Sequence, residues 1–280
     1  MVGKYKNLKK IFQQSRQAVL HDANTQSIVN GLKNNEFKIY LQFIVDNKTK
    51  NIISAEALSR WDSSDGIKCP GAYIETMRTE GLISAHDFYM FELVCRQLEK
   101  WAATEYKNIT LSCNFTRITL SEDGFVEKIK NIADKYEFDR NKLAIEITED
   151  AMVKNAEIAV QNVIFCKEYG FRVYLDDLGS GYTSLANLCD YPIDVAKIDR
   201  DIVLKAESSK RGKDLFTGII NLAHSLDIKT VCEGVETEQQ NSLVSLTDCD
   251  FIQGWYYAKA LPLEECEEFI ELYKDKNMVC

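Results

Sequence analysis

The stretch that decides the fold runs from residue 38 to residue 61 and reads KIYLQFIVDNKTKNIISAEALSRW. Two apolar runs within it, 38–45 and 51–61, have the β-branched and aromatic content of strands. The connection between them, DNKTK, is too short for the crossover helix that a parallel pair of strands requires. These two strands are therefore predicted to pair as an antiparallel hairpin at the start of the sheet.

After this hairpin the chain alternates short apolar runs with longer amphipathic stretches. Six further strands are predicted: ITLSCNF (109–115), KLAIEIT (142–148), RVYLDD (172–177), DVAKID (194–199), KTVCEG (229–234) and CDFIQG (249–254). Helical patterns lie near 71–79, 86–102, 122–136, 154–169, 213–226, 237–245 and 264–274. Alternating β and α units indicate a parallel sheet, and roughly eight strands with seven or more helices in ~245 residues favour a closed α/β barrel.

Composition and charge exclude several classes of protein. The 280 residues are 28% charged and 45% hydrophobic, as in an ordinary globular chain. A net charge of −9 disfavours a groove for duplex DNA or RNA, because such a groove needs a basic surface. The sequence has no secretory leader and no apolar run near the ~18 residues of a membrane span. The nine cysteines are scattered without a paired pattern, so we predict a cytoplasmic protein with free thiols.

The first 35 residues differ from the rest of the chain. Five basic residues and no acid lie within residues 1–16, and residues 8–32 have helix-like apolar spacing. A leading helix or a solvated linker is favoured over a membrane-surface helix, because short charged runs usually face solvent. We predict an N-terminal helical or linker segment at 1–35 and a barrel domain at 36–280.

Polar or ionised side chains stand at the ends of the predicted strands. They are Glu56 with Arg60, Asn114, Glu146, Asp176 with Asp177, Lys197 with Asp199, Glu233 and Gln253. In an α/β barrel the carboxyl ends of the strands converge on one mouth, where active sites are built. A single acid there is ordinarily a helix cap or a surface carboxylate, but that explanation does not readily cover seven strands. Five neighbouring carboxylates would repel one another strongly unless cations neutralised them.

The residue types at the predicted mouth indicate which cations these would be. Carboxylate and amide oxygens are hard ligands that suit Mg²⁺ or Mn²⁺ rather than zinc. Asp176 and Asp177 are adjacent, so one could bridge two ions while the other completes the second site. Two ions ~4 Å apart are a standard device for displacement at phosphorus, and Lys197 would add positive charge. A buried structural salt bridge is the alternative role for Lys197.

The string EALSRW (56–61) resembles the signature of EAL domains, the cyclic di-GMP phosphodiesterases. Seven further blocks resemble that family in family order: LQFIVD (41–46), CNFT (113–116), EITE (146–149), DDLGSGYTSL (176–185), KID (197–199), CEGVET (232–237) and QGWYYAKALP (253–262). The resemblance spans about residues 36–270. It implies a modified TIM (β/α)8 barrel with an antiparallel first strand, and hydrolysis of cyclic di-GMP to linear pGpG.

The resemblance also implies a role for each matching residue. The metal ligands would be Glu56, Asn114, Glu146, Asp176 and Asp177. Glu233 would activate or coordinate the nucleophilic water, and Lys197 would lie near that water and the scissile phosphate. Residues that contact the substrate or support the site would be Gln42, Leu58, Arg60, Gln253, Glu236 and Asp199. Glu149 would anchor the loop after Asp177. Ordinary alternatives are a core position for Leu58 and a helix cap for Glu149.

Cofactors and partners follow from the same resemblance. We expect two Mg²⁺ or Mn²⁺ ions, inhibition by Ca²⁺, a homodimer, and fusion to or regulation by a sensor or cyclase domain. The sequence departs from the family pattern at Phe43, Leu178, Thr183, Cys232 and Ala260, but no matched metal or water position is lost. Two alternatives stay open: a receptor that binds cyclic di-GMP without cutting it, and an interaction scaffold that binds no ligand.

Overall fold

A computed structural model of the chain describes residues 23–148, 157–179, 188–189 and 191–277. Its sheet contains ten strands in the described residues: β1 (Phe37–Asp46), β2 (Ile52–Ser63), β3 (Gly66–Lys68), β4 (Thr110–Phe115), β5 (Leu143–Thr148), β6 (Arg172–Leu178), β7 (Val195–Ile198), β8 (Lys229–Cys232), β9 (Phe251–Gln253) and β10 (Leu261–Pro262). The helices are α1 (Ala23–Lys33), α2 (Ile74–Thr79), α3 (Ile83–Ala102), α4 (Arg117–Leu120), α5 (Phe125–Ala133), α6 (Glu157–Glu168), α7 (Arg200–Ser208), α8 (Lys210–Ser225), α9 (Glu238–Ser245) and α10 (Leu263–Asn277).

Eight of the strands close into a barrel. Strand β1 pairs antiparallel with β2 on one side and with β9 on the other. The strands β2, β4, β5, β6, β7, β8 and β9 pair in parallel in that order. The predicted α/β barrel with an antiparallel first strand is therefore confirmed, and the predicted hairpin places Gln42 opposite Glu56.

Helices α4 and α7 and the short strands β3 and β10 were not predicted from the sequence pattern. Helix α7 begins directly after β7, where the Asp199 side chain accepts a hydrogen bond from the Asp201 amide at 2.8 Å. Only Ser209 separates α7 from α8, and its side chain caps α8 by accepting from the Gly212 amide at 3.0 Å. A side chain at Gly212 would meet the backbone of Lys205, so only glycine allows the two helices to cross this closely.

Two apolar layers hold the barrel together. Between sheet and helices, the ring of Phe115 packs against those of Phe91 and Phe125, with ring centroids 5.6 Å apart in both pairs. Helix α1 joins this outer layer by burying Ile28 and Leu32. Inside the barrel, one apolar cluster is formed by Ile44, Ala144, Tyr174, Val195 and Val231. This cluster lies below the carboxyl ends of the strands and forms an apolar layer beneath the mouth of the barrel.

Helices long and apolar enough to cross a membrane are absent from the part of the chain that the structure describes.

Candidate active site

The ammonium group of Lys197, on β7, is the centre of the site. Its Nζ lies 3.0 Å from Oε2 of Glu56, 2.5 Å from Oε1 of Glu146, 3.2 Å from Oδ1 of Asp176 and 2.7 Å from Oε1 of Glu233. The Lys197 side chain is 1% exposed, so this charge is almost fully removed from water. One lysine therefore faces four carboxylates from four strand ends, and it neutralises only one of their charges.

Glu56 is also held by neutral amide groups. Its Oε1 accepts a hydrogen bond from Nδ2 of Asn114 at 2.9 Å, and its Oε2 accepts one from Nε2 of Gln253 at 2.8 Å. Gln253 also reaches Oε1 of Gln42 at 3.4 Å, and Gln42 in turn donates to the carbonyl of Ala258 at 3.3 Å. The Asn114 amide turns its nitrogen toward Glu56, which leaves its Oδ1 available as a ligand atom.

A second group of acids lies beside the lysine. Asp176, Asp177 and Glu233 each offer a carboxylate oxygen, and these three oxygens lie within 4.8 Å of one another. Asp177 has a left-handed backbone with φ of 60°, an uncommon conformation for a residue with a side chain. This conformation turns the chain just after Asp176 and lets two successive carboxylates serve the same mouth.

The electrostatic environment divides the carboxyl groups into two kinds. Burial disfavours ionisation of Glu56, but Lys197 and the amides of Gln253 and Asn114 outweigh it and hold its pKa below the usual value. Burial raises the pKa of Glu146 well above its usual value, and the charge of Glu56 adds to the effect. Burial also raises the pKa of Glu233 to about 8, with Asp176 and Glu56 acting in the same direction. Without a further cation, the site therefore holds protons at neutral pH.

These residues fit a divalent metal ion. Oε2 of Glu146 is buried without a hydrogen-bond partner, and so is Oδ1 of Asp176, which only approaches the lysine as an ion pair. A buried carboxylate oxygen without a donor is costly, and a bound cation would satisfy it. The available ligand atoms are carboxylate and amide oxygens, which suit Mg²⁺ or Mn²⁺.

Metal affinity is expected to rise with pH between about 6 and 8. A cation favours the ionised carboxylates, so below the Glu233 pKa of about 8 its binding must displace protons. The dissociation constant for Mn²⁺ should fall by up to about 10-fold per pH unit between pH 6 and 8 for each proton released. Calorimetry in two buffers of different ionisation enthalpy measures the protons released. An affinity that is constant over this range would contradict the protonated state of the metal-free site.

The remaining predicted site residues lie at the rim of the mouth. Leu58 and Arg60 are half-buried on β2, and the Arg60 guanidinium lies 5.6 Å from the centre of the Tyr40 ring. Glu236 pairs with Arg200 at 2.8 Å, and Asp199 caps α7. Glu149 lies outside the described residues.

Arg200 and Tyr40 were not identified from the sequence. Arg200 follows the block KID directly, and a side chain added at Gly234 would collide with the Arg200 stem. Strand alternation places Tyr40 on the same face of β1 as Gln42, and this is the signal that could have identified it.

A cluster of hard oxygen atoms around a buried lysine lies at the mouth of an eight-stranded α/β barrel with one antiparallel strand, the end at which barrel enzymes build their active sites. The chain belongs to the EAL domain family, whose model matches residues 25–260.

Three known proteins show the range of the similarity. The chain is 28% identical over 244 residues to the cyclic di-GMP phosphodiesterase NbdA of Pseudomonas aeruginosa, covering 87% of this chain and 31% of NbdA. It is 28% identical over 236 residues to the cyclic di-GMP phosphodiesterase RocR of the same organism, covering 84% of this chain and 60% of RocR. The structure of the EAL enzyme Bd1971 bound to cAMP and cyclic di-GMP matches with a TM-score of 0.81 and 25% identity, covering 96% of this chain and 73% of Bd1971. The chain thus spans less than two thirds of both curated relatives.

Proposed function

We propose that this chain is a metal-dependent phosphodiesterase that hydrolyses cyclic di-GMP to linear pGpG. The observation that carries the proposal is the cluster of four carboxylates around the buried Lys197 ammonium. Within this cluster, one oxygen of Glu146 and one of Asp176 have no hydrogen-bond donor. A protein that only bound the dinucleotide would gain nothing from these acids, because without metal they repel its phosphates. The phosphodiesterase names of NbdA and RocR support the same assignment.

The metal ions would be held by a set of five residues. They are Glu56, Asn114, Glu146, Asp176 and Asp177. Two ions of Mg²⁺ or Mn²⁺, when bound, would lower the pKa of a water molecule and neutralise charge on the phosphoryl oxygens.

Glu233 is the residue that we expect to handle the proton. It lies 2.7 Å from Lys197, beside Asp176 and Asp177. Metal binding would displace the proton that Glu233 holds in the metal-free protein, and the ionised carboxylate could then accept one from water. In the reaction, a Glu233 oxygen would take the proton of the attacking water. Lys197 would hold Glu233 in position and offer its charge to the phosphate.

The rim of the mouth would bind the rest of the substrate. The Arg60 guanidinium presents donors in a planar fork, which matches the oxygens of a phosphate. Its position over the Tyr40 ring restrains the side chain before substrate arrives. Leu58 lies two residues earlier on the same face of β2 and would offer an apolar contact to a guanine base.

The setting of the domain is also a proposal. NbdA and RocR are longer than the matched region, and the related MucR of Pseudomonas aeruginosa is named a bifunctional diguanylate cyclase and phosphodiesterase. We propose that a sensor or cyclase domain, attached to this barrel or acting on it, controls its activity. A homodimer formed near the loop after Asp177 would give such a domain a route to the site. We place the protein in the cytoplasm.

Chelation and metal addition test the proposed function. Protein dialysed against EDTA should produce no pGpG from cyclic di-GMP, and Mg²⁺ or Mn²⁺ should restore turnover. Ca²⁺ should bind but inhibit, because its larger and looser coordination shell positions water poorly for attack. Full turnover in EDTA would contradict metal dependence. Turnover supported equally by Ca²⁺ would contradict the proposed need for a small, tightly ordered coordination shell.

A further inference from the structure

A chain of buried hydrogen bonds lies behind the mouth, between β2 and α3. Ser59 stands between Leu58 and Arg60 on β2, and strand alternation turns its side chain away from the mouth. Its Oγ accepts a hydrogen bond from the Tyr73 hydroxyl at 2.7 Å and lies 2.8 Å from Nε2 of His86. His86 belongs to α3 and is 4% exposed, so water does not compete for these contacts.

The next residue of α3 holds a different strand end. Asp87 is 5% exposed, and its Oδ2 accepts hydrogen bonds from the backbone amide of Thr116 at 3.0 Å and from the Thr116 hydroxyl at 2.8 Å. The hydroxyl of Thr119 donates to the same oxygen at 2.6 Å. Thr116 follows the proposed metal ligand Asn114 by two residues. One carboxylate therefore fixes the turn at which β4 leaves the mouth.

The two arms start from neighbouring residues of α3, His86 and Asp87. Because Tyr73 donates to Ser59, the Ser59 hydroxyl can donate to Nε2 of His86. The imidazole proton then lies on Nδ1, which is buried without a hydrogen-bond partner and 3.6 Å from Oδ1 of Asp87. This direction of donation gives the hydroxyls of Tyr73 and Ser59 and the His86 ring one consistent role, while the separation from Asp87 is longer than a hydrogen bond. The hydrogen bonds from Tyr73 end at His86, and those of Thr116 end at Asp87, the next residue of α3. Helix α3 itself therefore supports the ends of β2 and β4 from behind.

We propose that His86 and Asp87 are positioning residues that align the two halves of the catalytic mouth. The Ser59–His86 arm sets the end of β2, and so the position of Arg60 toward the substrate phosphate. The Asp87–Thr116 arm sets the end of β4, and so the position of Asn114 toward the metal. This inference rests on the proposed function, since it assigns metal to the one strand end and substrate to the other.

The test compares two substitutions, one of which should weaken metal binding and the other substrate binding. Asp87→Ala should weaken Mn²⁺ binding by about 10- to 100-fold, the usual scale for a group that orients a metal ligand. The same substitution should change the affinity for cyclic di-GMP, measured at saturating Ca²⁺, much less than it changes the affinity for Mn²⁺. Ser59→Ala should weaken cyclic di-GMP binding while leaving Mn²⁺ binding close to wild type. Calorimetry measures both affinities without requiring turnover.

Tyr89→Phe is the matched control. It removes a buried hydrogen bond from the same helix, 3.1 Å long, to the carbonyl of Phe37, and it leaves the His86 chain intact. It should change neither affinity. Asp87→Asn, which keeps an acceptor oxygen for Thr116, should recover most of the Mn²⁺ affinity that Asp87→Ala loses.

If Asp87→Ala does not fold, Thr116→Val removes one hydroxyl of the same arm at a half-buried position and should still weaken Mn²⁺ binding. Two results would overturn the positioning role but not the proposed function. One is that Asp87→Ala and Ser59→Ala each lose affinity for Mn²⁺ and for cyclic di-GMP to the same extent. The other is that Asp87→Ala and Thr116→Val bind Mn²⁺ as tightly as the wild type. A wild type that binds neither Mn²⁺ nor cyclic di-GMP would overturn the proposed function and this inference with it.

Discussion

Substituting Glu233 with glutamine is expected to lower the rate of pGpG formation by about 100-fold or more, the usual scale for a positioned general base. Glutamine keeps the size of the side chain but cannot accept the proton of the attacking water. Binding of cyclic di-GMP in Ca²⁺ should change little, because the loss lies in the chemical step. The measurement is single-turnover hydrolysis at saturating Mn²⁺, paired with calorimetric binding.

Glu238→Gln is the matched control for this substitution. Glu238 is an exposed acid in the first turn of α9, five residues along the chain from Glu233. The Glu238→Gln variant loses the same charge as Glu233→Gln, but the substituted residue lies away from the mouth. Its turnover should therefore equal that of the wild type. If Glu233→Gln turned over at the wild-type rate, Glu233 would not be the general base.

Replacing Lys197 with methionine should have the largest effect on stability. The change leaves Glu56, Glu146, Asp176 and Glu233 facing one another without the central cation. Breaking a buried ion pair by removing one partner typically costs about 3–5 kcal/mol of unfolding free energy. Turnover should also be lost. Because a divalent cation can neutralise the same acids, saturating Mn²⁺ should narrow the stability gap between variant and wild type.

Urea denaturation in EDTA and in Mn²⁺ measures this gap. Lys274→Met is the control, since Lys274 forms exposed pairs with Glu105 and Glu271 and its loss should cost no more than about 1 kcal/mol in either condition. A Lys197→Met variant that is as stable as the wild type in EDTA would show that the four carboxylates do not depend on the lysine.

The barrel could be predicted because its signals are local. Each strand is a short apolar run, and the five-residue connection between β1 and β2 leaves no room for a helix. Helix α7 escaped prediction because only Ile202, Val203 and Ala206 are buried along its nine residues. A sequence with so few apolar positions looks like that of a loop. The close crossing at Gly212, which allows α7 to pack, depends on α8 and is not visible in the sequence of α7.

The site could be predicted only as a set of residue types. Strand ends in an α/β barrel meet at one mouth, so the sequence could bring Glu56, Glu146 and Lys197 to the same region. It could not predict that one ammonium group contacts four carboxylates, because Glu56 and Lys197 are 141 positions apart and their contact depends on barrel closure. The orphaned oxygens of Glu146 and Asp176 became visible only in three dimensions.

The support behind the site had no sequence signal that we recognised. Ser59 is an ordinary strand residue between two predicted substrate contacts, and His86 lies outside every predicted site block. Their hydrogen bond depends on α3 packing across the back of β2. Contacts of this kind connect helices to strands and need the packed structure to be recognised.

Hydrolysis of cyclic di-GMP at this mouth is the proposal on which the other predictions depend. The direct measurement is incubation of the wild type with cyclic di-GMP and Mn²⁺ in ¹⁸O-enriched water, followed by mass spectrometry of the products. We expect linear pGpG that carries one ¹⁸O atom on its terminal phosphate. Tight binding of cyclic di-GMP without any pGpG, in Mn²⁺ and in Mg²⁺, would contradict it and identify the chain as a receptor.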